Sequence, residues 1–365
     1  MSLTEKGFDE RFMISGFAKE ATYNAGVDMS NDANAFSLGV FSSIGVTWDD
    51  TVTNDKEEDT GSQFGTDQEL TEQNVTLTIN ESKAKPNTVA AFAALVLGAH
   101  THTKDGADDA YTHYNSPVAL GTDLKSVQAE HKKGRIQYKY QGLKGNSLKL
   151  AAEAGGFLSL ESELFGSGTR SPSATAFATA ITESWLTIKN AICKLESGAN
   201  ISITSPPAQG VENISSATPD DLGVRIKSFE LNYNNNLERQ VGFGGGGVAQ
   251  DIDKARATAA LTYTMNFLNS NAAAEYGYYT AQDVVAWELN LKGGIIDTDM
   301  AGTPLYYGVT ILIPRAKIMK VPLPDGGPSD ILTQTFELDI QDNGTDGAVE
   351  IFVYNAQADY LAAAA

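Results

Sequence analysis

Apolar and polar positions alternate with a period of two along much of the chain, and the alternation occurs twice in the same order. Ile44, Val46 and Trp48 alternate with Gly45 and Thr47, and 185 residues later Phe229, Leu231 and Tyr233 alternate with Glu230 and Asn232. Val75, Leu77 and Ile79 return as Leu261, Tyr263 and Met265, while Thr76, Thr78 and Asn80 on the opposite face answer Thr262, Thr264 and Asn266. A third pair matches Ile136, Tyr138 and Tyr140 with Val309, Ile311 and Ile313. The fourth matches Leu158, Leu160, Ser162 and Leu164 with Leu332, Gln334, Phe336 and Leu338. Period-two alternation marks half-buried antiparallel strands, and an offset that preserves parity keeps each side chain on its face. The pattern predicts a mainly β chain of two tandem domains, residues 1–169 and 170–365, related by internal duplication.

Candidate strands fall at 44–52, 70–80, 134–140, 147–152 and 157–165, then at 226–233, 255–267, 283–292, 308–313, 316–321, 331–341 and 349–354. One short flanking helix stands out, with Asn87 placed to cap Thr88–Leu97 and Gly98 to stop it. Gly166–Thr175 reads as a linker, and 196–222, with Pro206, Pro207 and Pro219, as a second loop-rich stretch. The second and fourth matched strands stand 83 residues apart in the first half and 71 in the second. The excess is assigned to a polar loop at 100–114. Long polar segments join the first and second strands of each half. One spans 53–68, with Asp55, Glu57, Glu58, Asp59 and Gln63; the other spans 234–250, with Asn234, Asn235, Arg239 and the run Gly244–Gly247. Long loops at matching places on a rigid scaffold are expected to make functional contacts.

Composition narrows the function. A formal charge of −20, from 46 acidic against 26 basic residues, argues against a large surface that grips a phosphate backbone, though not against DNA passing nearby. Cys193 is the single cysteine, so no intrachain disulfide is expected and assembly in a reducing cytoplasm is the simplest reading. Met1–Glu20 is charged throughout and does not read as a secretory signal. The longest apolar run, Val89–Leu97, is too short to span a bilayer.

No catalytic signature emerges, and no cofactor or metal is expected. His100, His102 and His113 with Asp105, Asp108 and Asp109 could be drawn as a metal site, but a flexible loop lacks the fixed geometry such sites need. Asp339, Gln341, Asn343, Gly344 and Glu350 approximate a calcium loop, yet strands flank it and Asn343-Gly344 favours a tight hairpin turn. Gly242–Gly247 resembles a phosphate cradle in composition only. Cys193 reads as a buried structural residue, and Trp48, Trp185 and Trp287 as fillers of cores or interfaces.

Arg225–Phe267, reading RIKSFELNYNNNLERQVGFGGGGVAQDIDKARATAALTYTMNF, resembles the tail tube proteins of tailed bacteriophages, and Asn146–Phe165 resembles the strand and turn that close the first half in that family. The resemblance implies tail-tube-like β-barrel or sandwich domains of orthogonal sheets with a short flanking helix, stacked as rings into a hollow tube through which the genome leaves. Two domains per chain imply a trimer with pseudo-sixfold symmetry, whose strands pair between domains into an inner wall. Thr76, Thr78, Asn80, Thr262, Thr264 and Asn266 would then lie on the inner-wall strands. The two long loops, with Asp55, Glu57, Glu58, Asp59, Gln63, Asn234, Asn235, Arg239, Gly244 and Gly247, would reach the next ring. Loop 100–114 would lie outside the tube or against the partner domain. Implied partners are other copies of the chain, the tape measure, terminator and baseplate proteins, and DNA in transit without sequence-specific binding or membrane insertion. The implied location is the virion tail, assembled in the host cytoplasm. The alternatives are a terminator, baseplate hub or secretion-machine tube component of the same fold, and a two-domain β carbohydrate binder or enzyme of a phage particle.

Overall fold

Two runs of four strands lie edge to edge in the computed structural model, which describes residues 13–29, 35–39, 43–54, 68–104, 110–119, 121–133, 136–174, 183–197, 202–203, 213–215, 220–223, 225–266, 272–298, 304–321, 324–325, 331–342, 344 and 347–358. The first half contains β1 (Met13–Lys19), β2 (Ala35–Gly39), β3 (Ser43–Trp48), β4 (Thr51–Asn54), β5 (Gln68–Glu72), β6 (Val75–Glu81), helix α1 (Pro86–Leu97), β7 (Gly98–Lys104), β8 (Tyr111–Pro117), β9 (Val127–Lys133), β10 (Ile136–Glu153), β11 (Ser159–Gly166) and β12 (Arg170–Pro172). After it come β13 (Ile192–Ser197), three two-residue strands β14 (Ser202–Ile203), β15 (Ile214–Ser215) and β16 (Asp220–Asp221), β17 (Ile226–Asn234), β18 (Leu237–Gln240), β19 (Asp251–Lys254) and β20 (Thr258–Asn266). Helix α2 (Ala272–Ala281), β21 (Val284–Thr298), β22 (Pro304–Lys320), β23 (Thr333–Ile340) and β24 (Glu350–Asn355) complete the chain.

One antiparallel ladder runs β3–β6–β11–β10–β17–β20–β23–β22. Its two halves repeat not only in order but in register. Val46, Leu77, Leu164 and Gly145 form one row across the first four strands, and Leu231, Leu261, Leu338 and Ile318 form the corresponding row across the last four. This register corrects one sequence match. Thr76, Thr78 and Asn80 correspond to Ala260, Thr262 and Thr264, two residues earlier than the alternation suggested. A slip of two leaves every side chain on its own face, so alternation alone cannot detect it.

The ladder buries one face. Leu77, Leu148, Leu150, Leu160, Leu164, Leu231, Leu261, Tyr263, Phe336 and Leu338 all point into a single core that also takes in α1. Every residue of α1 is buried, which a helix apolar on all sides requires. Phe92 meets Phe17 edge to face at 5.6 Å. Gly145 lets the helix approach β10, because a Cβ there would stand 2.7 Å from the Leu95 carbonyl oxygen. The predicted Asn87 cap is corrected: the helix starts at Pro86 after Lys85, with no side-chain cap, because proline at the first turn already has the helical φ. Gly98, at φ 89°, ends it as expected.

Helix α2 went unanticipated, since Gly277 and its tyrosines blur the helical pattern; it occupies the place in the second half that α1 holds in the first. The supposed loop at 100–114 is also corrected. It forms the hairpin β7–β8, because alternating Thr and His satisfy a ladder as well as a coil, and β8 pairs with β24 of the second half. His113 is fully buried there, its Nε2 donating to Asn355 Oδ1 (3.0 Å) and to the Gln357 carbonyl (2.8 Å). Burial, with His100 and His102 nearby, pushes its pKa down to about 4. An imidazole depressed in the folded state gives stability that is complete above its unfolded pKa of about 6.5 and lost as pH falls through 4. Acidification from pH 6.5 to 4 is therefore expected to cost about 2–3 kcal/mol through this group. Thermal melts of His113→Gln should show a shallower acid limb, and an unchanged limb would count against the assignment.

Candidate inner-wall face

The face of the ladder opposite the core is mostly polar, with Ala151, Phe165 and Ala260 its apolar members. It presents Thr76, Thr78 and Asn80 on β6, Glu161 and Glu163 on β11, Ser147, Lys149 and Glu153 on β10, Glu230, Asn232 and Asn234 on β17, Thr262, Thr264 and Asn266 on β20, and Thr335, Glu337 and Asp339 on β23. Alternation forces this: once Leu and Tyr fill the core face, each intervening residue is turned to the other side. All six threonine and asparagine residues expected on inner-wall strands are on this face.

Its charges are organised. Lys149 Nζ lies 3.1 Å from Glu230 and 3.7 Å from Glu161, bridging β17 and β11 across β10. The Asn232 amide, joined by Lys149, holds the Glu230 carboxyl below its usual value, and the Glu230 contact raises Lys149. Asn146 Nδ2 donates to Glu163 at 2.7 Å, and Lys320 meets Glu337 at 3.0 Å. Glu153, Glu161, Glu163, Glu230, Glu337 and Asp339 outnumber Lys149, Lys317 and Lys320, so the face keeps a negative excess. Two shallow hollows of about 660 and 540 Å³ open on it, lined by Thr78, Asn80, Lys149, Glu161 and Asn232, and by Ala151, Glu153, Glu230 and Thr264. Neither is an enclosed apolar pocket of the kind that holds a substrate.

The segment 234–250 forms the first strand and turn of a hairpin, β18–β19, laid over the end of the first half. Asn235 is fully buried, its amide donating to the Val96 carbonyl (2.6 Å), an orphan acceptor in the last turn of α1, and to the Gly145 carbonyl (2.9 Å). Arg239 donates to the carbonyls of Val75 (2.7 Å) and Gly166 (3.1 Å) and to Thr76 Oγ1 (3.0 Å), and covers the Phe165 ring at 4.5 Å. Lys144 Nζ reaches Asp251 at 2.7 Å, and Gln73 N donates to the Gly247 carbonyl at 2.7 Å. Asn234 sits on the polar face and its side chain accepts from Asn236 N. Gly244 stays at the exposed tip beside the fully exposed Phe243. Asp55, Glu57, Glu58, Asp59 and Gln63 lie outside the described residues.

The remaining candidates assemble no site among the described residues. His100 and His113 stack at 5.4 Å on the β7–β8 hairpin, while Asp105, Asp108 and Asp109 lie outside the described residues. Among the described residues no group of three His, Cys, Asp or Glu side chains could hold a metal. Asp339 and Glu350 of the calcium-like stretch belong to β23 and β24, where Tyr114 donates to Glu350 at 2.7 Å; Asn343 lies outside the described residues. Cys193 is buried in β13. Trp287 fills the core, while Trp48 and Trp185 remain half exposed.

Missed by sequence reasoning were the seating of β18–β19 and the roles of Asn235 and Lys144. Their bonds join residues about ninety or more positions apart, which local patterning does not encode. No helix among the described residues is long and apolar enough to cross a membrane. No curated protein matches the chain. The sequence profile of phage tail tube proteins matches residues 15–340, nearly the whole length, and with a mainly β fold behind it the chain belongs to the phage tail tube protein family.

Proposed function

We propose that three copies of this chain close into a ring of six related halves, and that the rings stack into the bore of the tail with the polar ladder face lining it. The observation that carries this reading is the junction of β10 with β17, where Leu150 stands opposite Leu231 and the first half hands its ladder to the second. Repeating that junction between chains leaves no free edge in the ring. The chain keeps one such edge in place. Among the described residues β3 pairs on one side only, and Met319 and Lys320 stand where Asn146 and Ser147 lead β10 onto β17, with Met319 59% exposed.

A bore lined by Thr, Asn and a surplus of carboxylates repels phosphates, so DNA slides without sequence-specific contact. The tape measure, terminator and baseplate proteins are the other tail partners in this reading, with assembly in the host cytoplasm. Electron microscopy of the concentrated protein, with mass measurement, tests it. Rings of three chains of 38.8 kDa each, or stacked hollow tubes, are expected. Particles of one chain at every concentration, or rings whose bore is lined by another face, would overturn it.

A further inference from the structure

The two hairpins that occupy matching places in the halves have different surroundings. In β18, Leu237 is 6% exposed and packs with Ile252 of β19 and with Leu124, Val118 and Phe165 on the first half. The ladder register places Val52 of β4 where Leu237 stands in β18, and Leu70 of β5 where Lys254 stands in β19. Val52 is 51% exposed and Leu70 43%, and they face each other across β4 and β5 with no covering element among the described residues. An apolar cross-strand pair left in water on a hairpin is a surface awaiting a partner.

The seat is open as well. Gln73, Val75, Phe165, Gly166 and Ser167, which lie under the β18–β19 hairpin, correspond by register to Ala257, Ala259, Asp339, Ile340 and Gln341. All five of these line a single groove of about 980 Å³, formed mainly by the second half with Pro117 and Val118 of the first. Lys144, 3% exposed where it grips Asp251, corresponds to Lys317, which lies opposite Asp339 at the rim and is only partly buried. Lys254, Arg256 and Arg315 also line the groove, and Arg315 Nε is buried without a hydrogen bond among the described residues. The exposed hairpin brings Glu69 and Glu72.

We infer that the groove on the second half receives the β4–β5 hairpin of the neighbouring copy of this chain, in the same pose that β18–β19 adopts on the first half within one chain. The seat thereby fixes the lateral contact of the ring proposed above, and rests on that reading. Apolar contact by Val52 and Leu70 supplies the affinity, and carboxylates against Lys254, Arg256 and Arg315 supply orientation.

Photo-crosslinking tests it on the full chain with Val52 replaced by p-benzoylphenylalanine, beside the unsubstituted chain. The expected product has twice the chain mass and links position 52 to peptides containing 254–259 or 339–342. Loss of assembly in the substituted chain alone also supports the seat. Rings that form but cross-link elsewhere overturn the seat and leave the ring standing. An unsubstituted chain that never assembles overturns both. Val52→Asp should raise the concentration needed for assembly at least about tenfold without moving the melting point of the isolated chain, since the side chain is already exposed; an unchanged assembly threshold would count against the proposal.

Discussion

Replacing Glu275 with leucine is expected to cost about 3–5 kcal/mol of folding free energy, the largest effect of any single exchange considered. Glu275, on α2, holds Arg225 at 2.8 Å, with side chains 1% and 3% exposed. Two of the guanidinium nitrogens, Nε and the second terminal nitrogen, have no other hydrogen bond among the described residues. Removing the carboxylate strands a buried cation in apolar surroundings, where the loss of hydration is no longer offset. The pair also fastens α2 to the start of β17, because Arg225 N bonds the Leu222 carbonyl and its own carbonyl accepts from Asn266 N (2.8 Å) at the end of β20. Urea denaturation should show a lower midpoint for Glu275→Leu. The double variant Arg225→Met, Glu275→Leu should recover most of the loss, since it leaves no buried charge. A double variant no better than the single would show that the pair acts through geometry instead.

The second large effect is a fall in stability as pH rises through neutrality. Burial lifts the Glu81 and Glu183 carboxyls to about 7, outweighing hydrogen bonds from Thr88 and Asn87 and the attraction of Lys85; Glu81 adds repulsion at Glu183. Tyr307 is the other titratable group close by. Glu183 Oε2 accepts from Asn87 N at 2.8 Å at the start of α1, while Glu183 Oε1 and Glu81 Oε2 have no partner among the described residues. A carboxyl that binds its proton more tightly when folded gives stability that is complete below the unfolded pKa near 4.5 and lost as pH rises through 7. Each carboxyl contributes up to about 3 kcal/mol to the difference between pH 5 and pH 8. This trend opposes that of His113, so stability should peak in mildly acidic solution. Glu81→Gln, which keeps the shape without the charge, should be more stable than the parent at pH 8 and have a flatter profile. Superimposable profiles would remove Glu81 as the cause.

Strand identity was legible wherever one face is buried. The alternation at Ile44–Trp48, Val75–Ile79 and Leu332–Leu338 located β3, β6 and β23, and the polar residues between them gave the inner-wall candidates their common face. Alternation failed where both faces are covered or where polar residues build strands. Val127–Lys133 and the His-Thr hairpin of β7 were unread for that reason, and β10 and β22 each appeared as two strands because bulges interrupt their period.

The amino-acid sequence by itself determined the class of the fold, the two faces of the ladder and the negative excess, because side-chain parity and charge are properties of single strands. Tertiary structure alone decided the register between strands, since a slip of two is silent in the pattern. It alone also decided that the two halves share one ladder and that one hairpin is seated while its counterpart is not. Those outcomes depend on bonds such as Asn235 to Val96 and Lys144 to Asp251, whose partners meet only after the chain has closed loops of about a hundred residues.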